Sequence, residues 1–394
     1  MAAERATIVA SLIRRTGDWS LAEDCVQDAV ERALLRWPRE GMPRSPAAWL
    51  TTAAWNRALD VIRRRRTERA KLQELALRQE LARLPDEPDD RLRLIFTCCH
   101  PAIALDNRVA LTLKTVAGLG TGEIARALLV SESALSQRLL RTKAKIANAA
   151  IPYRVPPDEL LAERTGGVLA VLYLIFNEGY GQPDDHLATE AHRLTRLLVQ
   201  LMPEEDEPRA LLALIMFQMA RRATRFDADG ELVPMEEQDR TRWDPAAIDE
   251  AGRQLRRAAS SGRPPGPYRL QAQIAECHAT ARDADATPWH TVVTLYNALL
   301  AAHPSPVIAL NRAVAVGFRD GYGAGLAELD ALEAKRLAGY YLLPAARADF
   351  LRRLGRPAEA RRAYRTAAEL APAGSPEQRL LQRRVTELSQ AVEA

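Results

Sequence analysis

Apolar residues in this chain recur every three to four positions, and no stretch shows the period of two that runs of β-branched strand residues would give. That regularity commits the 394 residues to a nearly all-α fold, long enough for two or three domains with substantial cores. It is clearest from Trp19 to Trp37, where Trp19, Ala22, Cys25, Val26, Ala29, Val30, Ala33, Leu34 and Trp37 form one stripe. Glu23, Asp24, Gln27, Asp28 and Glu31 occupy the opposite face. Ser20 and Glu23 have the spacing of a capping box, and Pro38, Gly41 and Pro43 are expected to end the helix. Taken alone, the acidic face needs no explanation beyond solvation.

A second helix, SPAAWLTTAAWNRALDVIRRRR, has Ser45 as its expected cap and Pro46 at its first position, with Trp49, Ala53 and Leu59 to Ile62 expected inward. From Arg57 to Lys71 seven Arg or Lys face two acids. Cations suit any helix C-terminus, but the run Arg63, Arg64, Arg65 and Arg66 is dense enough to suggest phosphate contact. Trp49 and Trp55 lie beside Asn56 and Arg57, as side chains that capture unstacked bases would; the alternative is that both tryptophans are core. Residues 71–91, ending in the Pro- and acid-rich LPDEPDD, are expected to be a linker.

Residues Gly120 to Lys145, GTGEIARALLVSESALSQRLLRTKAK, then predict two short helices joined by a tight turn. Thr121 and Ser131 are the expected caps. Leu135 and Leu139 point inward, which leaves Ser133, Ser136, Gln137, Arg138 and Arg141 outside. Short polar groups with Gln and Arg are the side chains that read base edges in a major groove. From Ser133 to Pro157 there are five basic residues and no acid. The competing reading is an ordinary helical hairpin with a solvated basic face. Leu129 stands where many helix-turn-helix units carry Gly.

The net charge of +4 is too small to argue for nucleic-acid binding by the whole chain, so local clusters carry that case. Four scattered cysteines without a C-x-x-C pair favour neither a disulfide framework nor zinc. Cys98, Cys99 and His100 are adjacent, an awkward ligand geometry on a helix, and His186, Glu190 and His192 do not share one face. No metal and no cofactor are expected. No apolar run reaches a membrane span, so a cytoplasmic protein is expected. No nucleophile motif, paired acid and base or phosphate loop emerges, and an enzyme is not expected. Beyond Pro156 the chain turns strongly apolar at RTGGVLAVLYLIFNEGYG, and residues 151–394 are expected to form a helical extension. Tyr296, Leu299 and Pro304 correspond to Tyr364, Ala367 and Pro372 at a separation of 68, twice the tetratricopeptide period of 34, with a poor copy between them offset by a Gly-rich turn from Gly321 to Gly325.

Two basic helical modules joined by an acidic linker resemble regions 2 and 4 of bacterial sigma factors. More narrowly, the chain resembles the extracytoplasmic-function type of the sigma-70 family, in the subgroup with a C-terminal tetratricopeptide-like helical extension. AEDCVQDAVERAL (22–34) is similar to the region 2.2 helix that docks on RNA polymerase, which implies polymerase contacts for Glu23, Asp24, Gln27, Asp28 and Glu31. WLTTAAWNRALDVIRRRR (49–66) resembles the segment that melts and reads the −10 element, implying roles for Trp49, Thr52, Trp55, Asn56, Asp60, Arg63, Arg64, Arg65 and Arg66. RLRLIFTCCHP and GEIARALLVSESALSQRLLRTKAKI resemble region 4 of this subgroup, including its Leu at the turn. The −35 readers implied are Ser131, Ser133, Ser136, Gln137, Arg138, Arg141 and Lys143. The expected organisation is region 2 at 1–70, linker at 71–91, region 4 at 92–150 and the extension at 151–394 with repeats near 289–375. Its expected partners are core RNA polymerase, promoter DNA and a regulator held by the repeats. The alternatives are a helix-turn-helix regulator that does not bind polymerase and a tetratricopeptide scaffold.

Overall fold

A computed structural model describes residues 2–65, 89–128, 130–181, 186–332 and 337–393. These residues are helical and contain no strand; the one β-type pairing among them is an isolated bridge between Phe226 and Leu232. The chain forms two compact units, residues 1–203 and 204–394.

The first unit begins with α1 (Ala2–Thr16), a helix not among those expected from the sequence, although its apolar residues are as one-sided as those of α2. Ala6, Ile8, Val9, Ala10, Leu12 and Ile13 are all buried. Helix α2 (Trp19–Glu40) is capped by Asp18, whose carboxylate accepts the Leu21 N–H at 2.9 Å, and not by Ser20. It runs through Pro38 and stops at Gly41, where φ is +84°. Its buried stripe ends at Ala33; Leu34 and Leu35, 63% and 70% exposed, lie outside it. Helix α3 (Pro46–Arg65) returns antiparallel along α2, and its inward residues are Leu50, Ala54, Ala58 and Leu59. Trp49, Ala53, Val61 and Ile62, expected inside, are half-buried because the contact with α2 and α1 follows the adjoining i, i+4 row.

After α4 (Asp89–Cys98), helix α5 (Leu105–Thr112) runs into a π-helical turn, Leu113–Ala117. The two short helices follow as α6 (Thr121–Ala127) and α7 (Glu132–Asn148). Gly120 is the cap residue of α6, with Thr121 already helical, and the Glu123 carboxylate accepts the Gly120 N–H at 3.1 Å. Ser131 caps α7 by accepting the Ala134 N–H at 3.2 Å, and Leu135 and Leu139 are buried. Leu129 lies outside the described residues. Helices α8 (Asp158–Tyr180) and α9 (His186–Leu201) complete the unit, which runs to Pro203. Gly179 lets them approach: a Cβ there would lie 2.3 Å from the Ala188 nitrogen.

The second unit contains α10 (Asp206–Ala220), α11 (Pro245–Ala259), α12 (Pro267–Thr280), α13 (Trp289–Ala302), α14 (Pro306–Asp320), α15 (Tyr322–Ala331), α16 (Leu342–Arg353), α17 (Pro357–Leu370) and α18 (Pro376–Glu393). From α12 onward each helix packs on the next as a chain of hairpins. Leu299, Tyr364 and Ala367 of the repeat pattern are buried, while Tyr296 is half-buried. The stretch from Gly321 to Gly325 is mostly not a turn. Only Gly321, at φ +99°, breaks the chain; Gly323 and Gly325 are inside α15. Gly325 and Gly317 leave room for the Phe350 ring, which a Cβ at either position would meet at 2.5 or 2.3 Å.

Candidate nucleic-acid interface

On α2 the residues singled out from the sequence divide. Asp24, Gln27 and Glu31 are exposed, and the Gln27 amide donates to the Glu31 carboxylate at 3.0 Å. Asp28 is half-buried and holds Arg57 of α3 at 2.7 Å, so it ties the two helices together. Glu23 is 8% exposed. Its carboxylate accepts the Thr115 hydroxyl at 2.9 Å and pairs with the Lys143 ammonium at 2.6 Å. The π-helical turn presents Thr115 and α7 presents Lys143, so a residue expected on polymerase and one expected on DNA meet each other inside the unit. Burial also lowers the Lys114 amine's pKa, with Glu23 opposing that effect.

On α3, Thr52, Asn56 and Asp60 fall four apart and form an exposed ridge opposite Ala54 and Ala58. Trp49 packs edge-on against Trp37 at 5.7 Å, and Trp55 lies under the Arg15 guanidinium at 5.4 Å. Both tryptophans are half-buried. Arg63, Arg64 and Arg65 form the last turn of α3; Arg66 and the expected linker up to residue 88 lie outside the described residues.

On α7, Ser131, Ser133, Ser136, Gln137 and Arg141 are exposed and Arg138 is half-buried. The Ser131 and Ser133 hydroxyls are 3.2 Å apart, and the Arg141 Nε donates to the Gln137 carbonyl at 3.3 Å. Thr142 and Ile146 continue the buried side begun by Leu135 and Leu139. The outward strip therefore carries hydroxyls at the helix N-terminus and cations further along, the order in which a helix entering a groove meets bases and then phosphates.

The two modules share more than the Glu23 pair. Asp90, 1% exposed, binds Arg14 of α1 at 2.9 Å and Arg93 at 3.0 Å. The Tyr153 hydroxyl lies 3.1 and 3.2 Å from the Ala10 and Asp90 carbonyls, and burial beside Asp90 pushes its phenol far above the usual range. Apart from the Asp90–Arg93 pair on one helix, these partners are far from their mates in sequence, and no local signal marks them. Cys98 and Cys99 are buried, Cys99 lies 3.6 Å from the Thr112 hydroxyl, and burial raises its thiol to about 11. His186 pairs with Glu123 at 3.2 Å. Among the described residues no group of three or more His, Cys, Asp or Glu converges as metal ligands would, and no helix is long and apolar enough to cross a membrane.

Residues 2–68 match the family model of sigma-70 region 2, the segment that forms α1 to α3. Residues 164–259, from within α8 to the end of α11, match a family of unknown function, DUF6596. An uncharacterized protein of Rhizobium meliloti (strain 1021) is 42% identical over 382 residues, covering 93% of this chain and 90% of that protein. The chain belongs to one family with this relative, and it carries a sigma-70 region 2 domain followed by the DUF6596 segment, the arrangement of an extracytoplasmic-function-like sigma factor with a C-terminal extension.

Proposed function

We propose that the chain binds core RNA polymerase through the outer face of α2 and directs promoter recognition, with α3 at the −10 element, α7 at the −35 element and the C-terminal extension regulating its activity. A sigma-70 domain points to a transcription factor that leaves the chemistry of initiation to the polymerase, and region 2 supports interaction with that enzyme in general. The observation that carries the reading is the outer face of α2. Asp24, Gln27 and Glu31 stand exposed beside Leu34 and Leu35, a mixed acidic and apolar strip that no described helix of the first unit covers. Carboxylates of this kind orient a basic partner and speed its encounter, and the two leucines add contact area. On α3, the Thr52, Asn56 and Asp60 ridge with the two tryptophans receives a base leaving the duplex, and the last-turn arginines hold phosphates. Tetratricopeptide-like hairpins of the extension offer a surface to a regulator.

The test is assembly of holoenzyme from purified core polymerase and the full chain. Asp24→Lys combined with Glu31→Lys is expected to weaken assembly at least tenfold while helix content and melting temperature stay unchanged. Unaltered assembly would refute the α2 assignment. Asp28→Lys is the poorer probe, because it also strips Arg57 of its partner.

A further inference from the structure

Inside the second unit, α12, α13, α14 and the segment around Met235 line a partly open cavity of about 220 Å³. One wall is aromatic: Trp289 and Phe318 stack at 4.4 Å, and His278 meets Trp289 edge-on at 5.3 Å. Val292 and Ala315, 0% and 2% exposed, line it from the core. Two polar atoms on this lining have no hydrogen-bond partner among the described residues: the Thr287 Oγ1 and the His278 Nδ1. Thr287 is 4% exposed, although its backbone is fully engaged, donating to Ala284 at 3.3 Å and accepting from Trp289 at 2.7 Å. A buried hydroxyl left unpaired is costly, and such groups in native proteins call for a partner.

The charged side chains at the cavity are engaged elsewhere. Arg240 donates to the His278 and Ala281 carbonyls at 2.7 and 2.8 Å and lies over Trp243, while Glu236 pairs with Arg353. Burial beside Arg221 and Arg240 lowers the imidazole of His278 to about 4, so it is neutral at neutral pH. The site therefore offers flat apolar walls and a few uncharged hydrogen-bonding groups, Thr287, His278, Asn311 and Tyr296, the composition of a small-molecule pocket. An apolar cavity of about 150 Å³ admits benzene, so this one has room for a second ring.

We propose that this cavity binds a neutral, planar molecule of one or two aromatic rings, its polar edge hydrogen-bonded to Thr287 and His278 and its body against the Trp289 and Phe318 wall. The inference stands independently of the sigma-factor reading. Its test uses the full chain and two fluorinated probes, 6-fluoroquinolin-2-one and 5-fluorobenzimidazole, followed by fluorine NMR titration. At least one is expected to bind below millimolar concentration, with N-methylated analogues and fluorobenzoate at least tenfold weaker. Thr287→Val keeps the side chain's shape and is expected to weaken binding at least tenfold without lowering the melting temperature; Thr287→Ser keeps the hydroxyl and the affinity. The proposal fails if neither probe binds at millimolar concentration, if fluorobenzoate binds as well as they do, or if Thr287→Val leaves affinity unchanged.

Discussion

Glu23 has the sequence environment of a surface carboxylate: Asp24 follows it directly, and Gln27 stands four residues on, one helical turn along the same face. What decides its fate is Lys143, 120 residues further on. Pairings at such separations leave no trace in local periodicity, and this is why the acidic face is legible as a set while the inward turn of one member is not. Thr115 gives a clean lever on that contact, since it belongs to neither proposed surface. Thr115→Val is expected to cost about 1–2 kcal/mol, as one hydrogen bond to a charged group is lost, measurable by denaturant unfolding. His278 makes a prediction about pH. Its folded pKa of about 4 lies below the ordinary 6.5, so between these values the unfolded chain binds the extra proton. Its contribution to stability is complete above pH 6.5 and is lost as pH falls toward 4. The expected loss is on the order of 2–3 kcal/mol, and His278→Gln should flatten that limb of the melting curve against pH.

Among the elements, those with a single apolar stripe are legible and those without one are not. Helices α2, α3, α6 and α7 follow from their periodicity, with the error confined to caps, ends and the exact inward row. Asp18 displaces Ser20 because the chain enters α2 two residues earlier, and Leu34 leaves the core because it falls on the exposed face with Gln27 and Glu31, while Trp37 still packs on Trp49 of α3. Helix α1 is the exception, missed although its apolar residues are as one-sided as those of α2. The strip on α7 supports a further prediction. Arg141 is exposed, and its bond along its own helix is a long one at 3.3 Å, so the side chain can turn toward a groove at little cost. Arg141→Ala is expected to weaken promoter binding by about 1–3 kcal/mol if it meets a base edge, with little change in melting temperature. Footprinting of the variant holoenzyme measures this. Lys143→Met should behave differently, since removing one member of a buried pair costs on the order of 3 kcal/mol of stability as well.

For the whole molecule, composition and period lead to the all-α class, but the division of the chain depends on packing that they do not encode. Helices α8 and α9 pack within the first unit, and the compact body closes at Pro203. A chain cut near residue 160 would therefore lose two helices of that body. Residues 1–203 are expected to fold alone, with a cooperative melt, and to retain polymerase binding; a rise in transcription relative to the full chain would mark the remainder as a restraint, a fall as a contributor. Helix α1 carries the last consequence. It lies against α2 and α3 on one side and α4 and the π-helical turn on another, so these elements share the same apolar residues. None of them can fray privately: a lesion such as Leu12→Ala should speed amide exchange in α3 and α4 together, and whatever pulls α3 from α4 must supply the energy to wet a core they hold in common.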